Sequence, residues 1–336
     1  MEEVIPGIFL IKEKSGFERI KPSENIYIIA GPDGLIFDAG FGNKKVIKFL
    51  IKEINKIEQK YRDNNKDFKI TQILVSHGHP DHFAGLKRIK NSLGVKIILT
   101  EKTADIIKNK KSFMKSFNSD SYEDYLIIQK GFRYRIRSFL EKLMFSFFFK
   151  RIYGLSFIAK PDEIIKDNTE ISINGETWKV FPSPGHAIDH ISLYNEEKGV
   201  LLSGDNVLSK TTWLGPPNCN IGDYIESIET IQKLPNLKII LAAHGALINN
   251  PRERTIEILE HRKERTQQVL DIVKEFTENG TSPDEIIQKL YSNKKKMRTE
   301  IARGWVCLTL KMLEEQNVIK RIEGKKEIKF YTPNKL

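Results

Sequence analysis

The stretch VSHGHPDH, Val75 to His82, places three histidines and an aspartate within six positions of a chain that has seven histidines in all. Imidazole and carboxylate groups at close range are the donors a divalent cation takes, and few other tasks concentrate them so densely. Residues two apart on an extended strand face the same side. If the strand before this cluster runs on into it, His77 and His79 can grip one ion. Asp81 and His82, at the start of the element that follows, can turn to a second ion beside it.

Two ions need more donors than one loop supplies. The remaining histidines are His186, His190, His244 and His261. His186 stands in SPGH and His244 in AAHG, each just after an apolar run, and LLSGD puts Asp205 at the end of a third. A carboxylate able to bridge two ions is what a dinuclear site requires. One edge of a sheet would then present His77, His79, Asp81, His82, His186, Asp205 and His244. His261, in EHRKER of a charged helix, reads as solvated.

The elements that must position these residues follow from periodicity. ENIYIIA and GLIFDAG are β-rich runs separated by GPDG, a hairpin signal. Asn43 to Lys60 carries Val46, Ile47, Leu50, Ile54 and Ile57 at helical spacing. ITQILVS (70–76) is a buried strand feeding the cluster. A helix is expected from about Pro80 to Asn91, then the strand VKIILT (95–100). This order makes an α/β unit. Regularity resumes at EISINGETWKVFPSPGH, and the later strands HISLYNE, GVLLSGD and LKIILAAHG alternate with a helix from Asp223 to Lys233.

From Pro251 the character changes. One long charged helix runs to Gly280, and a second opens with Ser282 as its cap and Pro283 at the first helical position. A third covers about Arg298 to Gln316, and two strands join across EGKK. Three helices and a terminal hairpin make a winged-helix pattern. The expected organisation is a catalytic domain over 1–250 with a helical insertion at about 105–160. A linker helix and winged-helix-like domain over 251–336 follow it.

HGHPDH matches the HxHxDH signature of the metallo-β-lactamase fold superfamily, and SPGHAIDH, SGD and AAHG resemble its later motifs in the right order. The resemblance covers roughly residues 1–250 and implies an α/β fold, an αββα sandwich. It implies that His77, His79 and His186 bind one metal, that Asp81, His82 and His244 bind a second, and that Asp205 bridges them. Two divalent ions follow as cofactors, with Zn2+ expected and Fe or Mn also suited to such donors. Asp38 in FDAG resembles the family's early Asp-x-Gly, an anchor behind the histidine loop; its plainer reading is a turn aspartate. His190 reads either as a hydrogen-bonding support or as a satisfied strand residue. Two such ions lower the pKa of a shared water, so hydroxide is available at neutral pH to attack a carbonyl or phosphorus. Asp81, or a water on the second ion, is the candidate proton donor to the leaving group.

Composition bounds the rest. Hydrophobic residues at 40% and aromatics at 10% supply a core and exclude global disorder. Cys219 and Cys307 alone exclude a disulfide scaffold and a zinc ribbon, and fit a reducing compartment. The N-terminal MEEVIPGIFLIKEKSG has no signal-peptide apolar run, and LMFSFFF is too short to span a bilayer, so a soluble cytoplasmic protein is expected. A net charge of +11 allows an anionic partner without naming it.

The 105–160 insertion has twelve Lys/Arg against five Asp/Glu, interleaved with aromatics. It reads as a lid with an apolar face for an acyl chain, a basic element on anionic membrane, a stacking platform for bases, or a stabilising helical pair. The lid is preferred, because loops beside a motif-bearing edge gather substrate contacts.

The tail resembles that of the β-lactamase-like protein 2 group, which is linked to single-stranded RNA cleavage. The tail has nineteen Lys/Arg against fourteen Asp/Glu. Its mixed-sign third helix argues against tight duplex binding. The preferred function is hydrolysis of an ester- or thioester-like small molecule. The alternatives are a single-stranded endoribonuclease and a non-catalytic nucleic-acid-binding regulator. A dimer is compatible with the tail.

Overall fold

Strict alternation along the strands gives each sheet two buried faces. In β2 (Ile8–Lys12) and β3 (Asn25–Ile29), Ile8, Leu10, Tyr27 and Ile29 enter one apolar cluster while Phe9, Ile11, Ile26 and Ile28 enter another. The period of two requires a covered layer on each side. The structure, a computed structural model, describes all residues except 15–22, 118–135, 137–152, 216–217, 277–278, 292–295, 325–327 and 334–336. At 117 and 296–301 it describes the backbone alone.

The first sheet comprises β1 (Glu2–Ile5), β2, β3, β4 (Gly34–Phe37), β5 (Ile70–Leu74), β6 (Lys96–Thr100) and β7 (Glu163–Ile165), paired in sequence order. Pairing is antiparallel up to β4 and parallel from β4 to β7. The parallel part needs crossovers. The first is α1 (Lys44–Asp63), which Asn43 caps by accepting from the Val46 amide at 3.0 Å. Val46, Ile47, Leu50, Ile54 and Ile57 of α1 are buried, four of them in the cluster outside this sheet.

The second crossover departs from the sequence expectation. The helix expected over Pro80 to Asn91 is two helices, α2 (Pro80–Phe83) and α3 (Leu86–Leu93), with a break at Ala84 and Gly85. The Gly85 amide donates to Gly40 O at 2.9 Å, and the Ala39 amide donates to His82 O at 2.7 Å. A Cβ on Gly85 would lie 2.1 Å from Ala39 O. Direct backbone contact with the 38–40 turn breaks the helix there and fixes the histidine loop against that turn.

The second sheet has the order β12-β11-β10-β9-β8, formed by β8 (Thr169–Ile173), β9 (Glu176–Pro182), β10 (Ile191–Asn195), β11 (Val200–Gly204) and β12 (Ile239–Ala242). Only β11 and β12 are parallel, joined through a helix over Ile221–Gln232. Leu74, Ile98, Trp178, Leu193, Leu202 and Leu241 fill the space between the sheets. Tyr194, Leu201 and Ile240 face the other way, onto Tyr224, Ile228 and Ile231 of that helix. The architecture is the expected αββα sandwich.

The tail supplies helices over Pro251–Lys274, Pro283–Leu290 and Lys296–Glu315, then the antiparallel pair β13 (Lys320–Glu323) and β14 (Ile328–Tyr331). The first helix ends at Lys274, short of Gly280, because by Thr281 the chain is paired with Phe330 through two 2.8 Å backbone bonds. Ser282 and Glu285 form a reciprocal capping box with Pro283 at the first helical turn. Ile258, Val269, Ile286, Val306 and Leu310 share one cluster with the outer face of the second sheet.

Of the insertion, a helix over Lys110–Phe117 is described, and Phe113 meets Phe83 and Phe157 at ring distances of 5.7 and 5.8 Å. The lid, membrane and base-stacking readings fall mostly on residues outside the described ones. Among the described residues no helix is long and apolar enough to cross a membrane.

Candidate metal centre

Three parallel strands end at the same edge, where ligands gather in open α/β sheets. Beyond β5 lies the loop that becomes α2, with His79 at the N-cap position and Pro80 at N1. Beyond β11 comes Asp205, and beyond β12 comes His244. The turn between β9 and β10 brings in His186. All seven donors read from the sequence meet here.

They form two overlapping groups. His77, His79 and His186 offer nitrogens within 4.8 Å of one another, with His186 Nε2 and His79 Nδ1 3.1 Å apart. Asp81, His82 and His244 make the second: Asp81 Oδ2 is 3.5 Å from His82 Nε2 and 3.4 Å from His244 Nε2. Asp205 stands between them. Its Oδ2 is 3.2 Å from His186 Nε2 and 3.6 Å from His82 Nε2, and its Oδ1 is 3.4 Å from His244 Nε2.

The imidazoles are oriented from behind. The His186 Nδ1–H donates to Trp213 O at 2.9 Å and the His244 Nδ1–H to Ser23 O at 3.0 Å. His82 Nδ1 faces Asp38 Oδ2 at 3.1 Å. Asp38 also accepts from the Ser76 amide at 2.7 Å and its hydroxyl at 3.1 Å. Each such bond fixes the ring so that its other nitrogen faces the centre. His77 Nε2, His82 Nε2, His244 Nε2 and Asp205 Oδ1 are buried without a hydrogen-bond partner. Orphaned atoms of this kind are rare in native proteins, and cations bound in these donor groups would satisfy them.

His190 lies one step back. Its Nε2 accepts from the Asp205 amide at 3.1 Å, and its Nδ1 meets Ser183 Oγ at 2.9 Å. Gly204 has φ +52°, and a Cβ there would lie 2.4 Å from His190 Nε2. The glycine of SGD is therefore what lets His190 reach the Asp205 backbone. His261 is far from the cluster in the chain and does not belong to it. It is half-buried on the Pro251–Lys274 helix rather than solvated.

Sequence reasoning missed Glu24. It is 1% exposed just before β3, with Oε2 3.1 Å from His244 Nε2 and Oε1 3.2 Å from His82 Nδ1. Both its oxygens lack a hydrogen-bond partner. It groups with Asp81, His82 and His244 as a fourth donor. Only the pairing of Glu24 with His244 across the two sheets brings it there, and the Asn25 amide fixes that pairing by donating to Ala243 O at 2.7 Å. Asp189 was missed too; its Oδ2 accepts from the Gly78 amide at 2.8 Å and holds the histidine loop.

The two halves differ in charge. Burial, then crowding by neighbouring imidazoles, holds His77 and His79 well below the usual imidazole range, and burial lowers His186 as well. Burial also pulls His82 and His244 down, but the surrounding carboxylates outweigh it. Glu24, Asp38, Asp81 and Asp205 raise His82 well above its ordinary value, and Asp205, Glu24 and Asp81 bring His244 to about 10. Burial would raise Asp205, yet His244, His82 and His186 hold it well below the carboxylate range. Burial pushes Glu24 well up. A cation entering this half displaces protons from imidazole and meets an excess of carboxylate.

An αββα sandwich with a His/Asp cluster able to hold metal at its strand-end edge is the frame of a hydrolase. The family described as the metallo-beta-lactamase superfamily matches residues 21–244, and the chain belongs to it. The chain is 26% identical over 250 residues to a beta-lactamase-like protein 2 homolog of Caenorhabditis elegans, covering 74% of this chain and 67% of that one. It is 35% identical over 109 residues to the lactamase-like protein nscB of Aspergillus fumigatus, a match that spans only 32% of each chain. Among solved structures, a beta-lactamase domain protein from Burkholderia ambifaria superposes with a TM-score of 0.74 at 18% identity, over 99% of this chain and 93% of that one. A metallo-beta-lactamase family protein from Thermus thermophilus does so at 0.69 and 19%, over 98% and 100%. Both share the fold.

Proposed function

We propose that the protein is a dinuclear metal-dependent hydrolase acting on an ester- or thioester-like small molecule. The observation that carries the dinuclear reading is the placement of Asp205, whose two oxygens face His186 and His244 at 3.2 and 3.4 Å. His77, His79 and His186 would hold one ion. Asp81, His82 and His244 would hold the other, with Asp205 between. Divalent ions bound there supply hydroxide at neutral pH and polarise the substrate oxygen.

The remaining work falls to this chain's own residues. Trp213 O and Ser23 O hold His186 and His244 in the tautomer that presents Nε2. Asp38 and Ser76 hold the histidine loop. Asp81, 3% exposed beside both His82 and His244, is the group placed to pass a proton to the leaving group. Zinc is the ion expected, and the carboxylate-rich second half also suits iron or manganese.

The substrate reading rests on the rim. Ile188, two residues from His186, is 53% exposed, and Trp213, whose carbonyl holds His186, is 48% exposed. Large exposed apolar side chains flanking a polar site favour an acyl-bearing substrate. An exposed indole also stacks on a base. That, with the likeness to a beta-lactamase-like protein 2 homolog and a tail of three helices and a hairpin, supports single-stranded RNA cleavage as the second reading. In this reading the tail from 251 is a winged-helix unit. Free, buried Cys219 and Cys307 fit a cytoplasmic setting.

The test is a panel of fluorogenic esters, thioesters, lactones and single-stranded RNA on metal-loaded protein, beside Asp205→Ala. Ester or thioester turnover lost together with metal in the variant supports the proposal. Unchanged metal content and hydrolysis in Asp205→Ala would end the dinuclear reading. RNA cleavage without ester turnover would reverse the order of substrates.

A further inference from the structure

A cavity of about 260 Å³ lies between the Pro251–Lys274 helix and the segment 211–214 that follows the Asp205 loop. Arg254, His261 and Arg262 line it from the helix, and Thr211, Thr212 and Tyr224 from the other side. Two of its cationic groups differ sharply. The Arg254 guanidinium is engaged, with Nε and Nη2 donating to Leu208 O and Lys210 O at 2.8 Å and Nη1 to Glu257 Oε2 at 2.8 Å. Glu257, the carboxylate beside the cavity, is thereby taken.

Arg262 is only 7% exposed, and among the described residues it has neither a hydrogen-bond partner nor an ion pair. Burial weighs first on its charge, and the groups that follow, Tyr224, Arg265, Cys219 and Tyr291, include no carboxylate. A guanidinium stays charged in a protein. A largely buried charge that faces a cavity without a counter-charge is relieved by an anion seated there. Its planar fork matches two oxygens of one oxyanion. Thr211, exposed at the mouth, brings a further hydroxyl to the cavity.

We infer that this cavity is a binding site for a phosphate-type oxyanion, either inorganic phosphate or the terminal phosphate of a larger molecule, held by the Arg262 fork. The site is separate from the metal donors but shares a wall with them. Thr212 Oγ1 and the Tyr224 hydroxyl both donate to Asn206 O, at 3.2 and 2.9 Å, and Asn206 follows Asp205. Trp213, next to Thr212, supplies the carbonyl that orients His186. An anion seated on Arg262 therefore braces the loop that carries both residues.

The experiment is titration of full-length, metal-loaded protein with inorganic phosphate and, in a second arm, with a nucleoside monophosphate. Calorimetry and thermal unfolding report binding in wild type, Arg262→Gln and Arg262→Lys. Saturable binding by wild type is expected, weakened at least about tenfold in Arg262→Gln and also weaker in Arg262→Lys, which keeps the charge but loses the fork. Phosphate should raise the melting temperature of wild type by more than that of Arg262→Gln. Tighter binding of the nucleotide than of phosphate assigns the site to a phosphorylated molecule, and the reverse assigns it to the free ion. No saturable binding by wild type overturns the inference. So does phosphate binding that survives unchanged in both variants, since it then belongs elsewhere, for instance at the metal centre.

Discussion

Glu24 Oε2 lies 3.1 Å from His244 Nε2, closer than Asp81 Oδ2 or Asp205 Oδ1, which approach the same nitrogen at 3.4 Å. Its other oxygen lies 3.2 Å from His82 Nδ1. One carboxylate thus touches the inward nitrogen of one histidine and the outward nitrogen of another. Glu24→Gln keeps the shape and removes the carboxylate a cation would draw on. On the proposed dinuclear reading, affinity for the second equivalent of metal should fall about 10- to 100-fold while the first equivalent binds as before. Competition with a chromophoric chelator measures both. Two equivalents held as tightly as in wild type would show that Glu24 has no part in holding the ion.

The contrast between Glu24 and the histidines explains what could be read from the sequence. His77, His79, Asp81 and His82 are close in the chain, and their density is itself the signal. His186, Asp205 and His244 could be added because each follows an apolar run, so strand ends align them. Glu24 precedes its strand, is one acid among 44 Asp and Glu, and reaches the site only through pairing between sheets. The same limit hid the break at Gly85. The apolar pattern of 80–91 is helical throughout, and only contact with the 38–40 backbone interrupts it. The strands β3 to β6 and the Ser282 cap were legible because their signals are local.

His190 positions Asp205 through its backbone. With Nε2 accepting the Asp205 amide at 3.1 Å, His190→Ala leaves that buried donor without its partner. A loss of about 1–3 kcal/mol of folding stability is expected. Loading with metal should recover less of it than in wild type, because Asp205 is no longer held. Chemical denaturation of apo and metal-loaded protein, wild type and variant, separates the two effects. Equal metal-induced stabilisation in both would leave His190 a structural residue only.

Trp178 is wholly buried in the apolar layer between the two sheets. Trp178→Ala opens a cavity in the layer that fixes the two donor groups relative to each other. The expected loss is about 3–5 kcal/mol, read as a lower urea midpoint with little change in slope. A loss under about 1 kcal/mol would mean that the two sheets close over the gap.

The tail offers a pH test independent of any metal. Bonds from the Ser282 amide, chiefly, and from its hydroxyl and Thr281 lower the pKa of Glu285 below its ordinary value, against a smaller opposing effect of burial. A carboxylate whose folded-state pKa is depressed contributes stability that is fully present above its unfolded pKa, about 4.3, and is lost as pH falls through the folded value. Glu285→Ala should therefore cost about 0.5–1 kcal/mol at pH 7, toward the low end for a cap because the carboxylate is largely solvated. The difference between wild type and variant should hold down to about pH 5 and close progressively below it. Paired thermal melts from about pH 7 to about pH 3 measure it, and a difference that grows on acidification would mean the box is held by something other than the Glu285 charge.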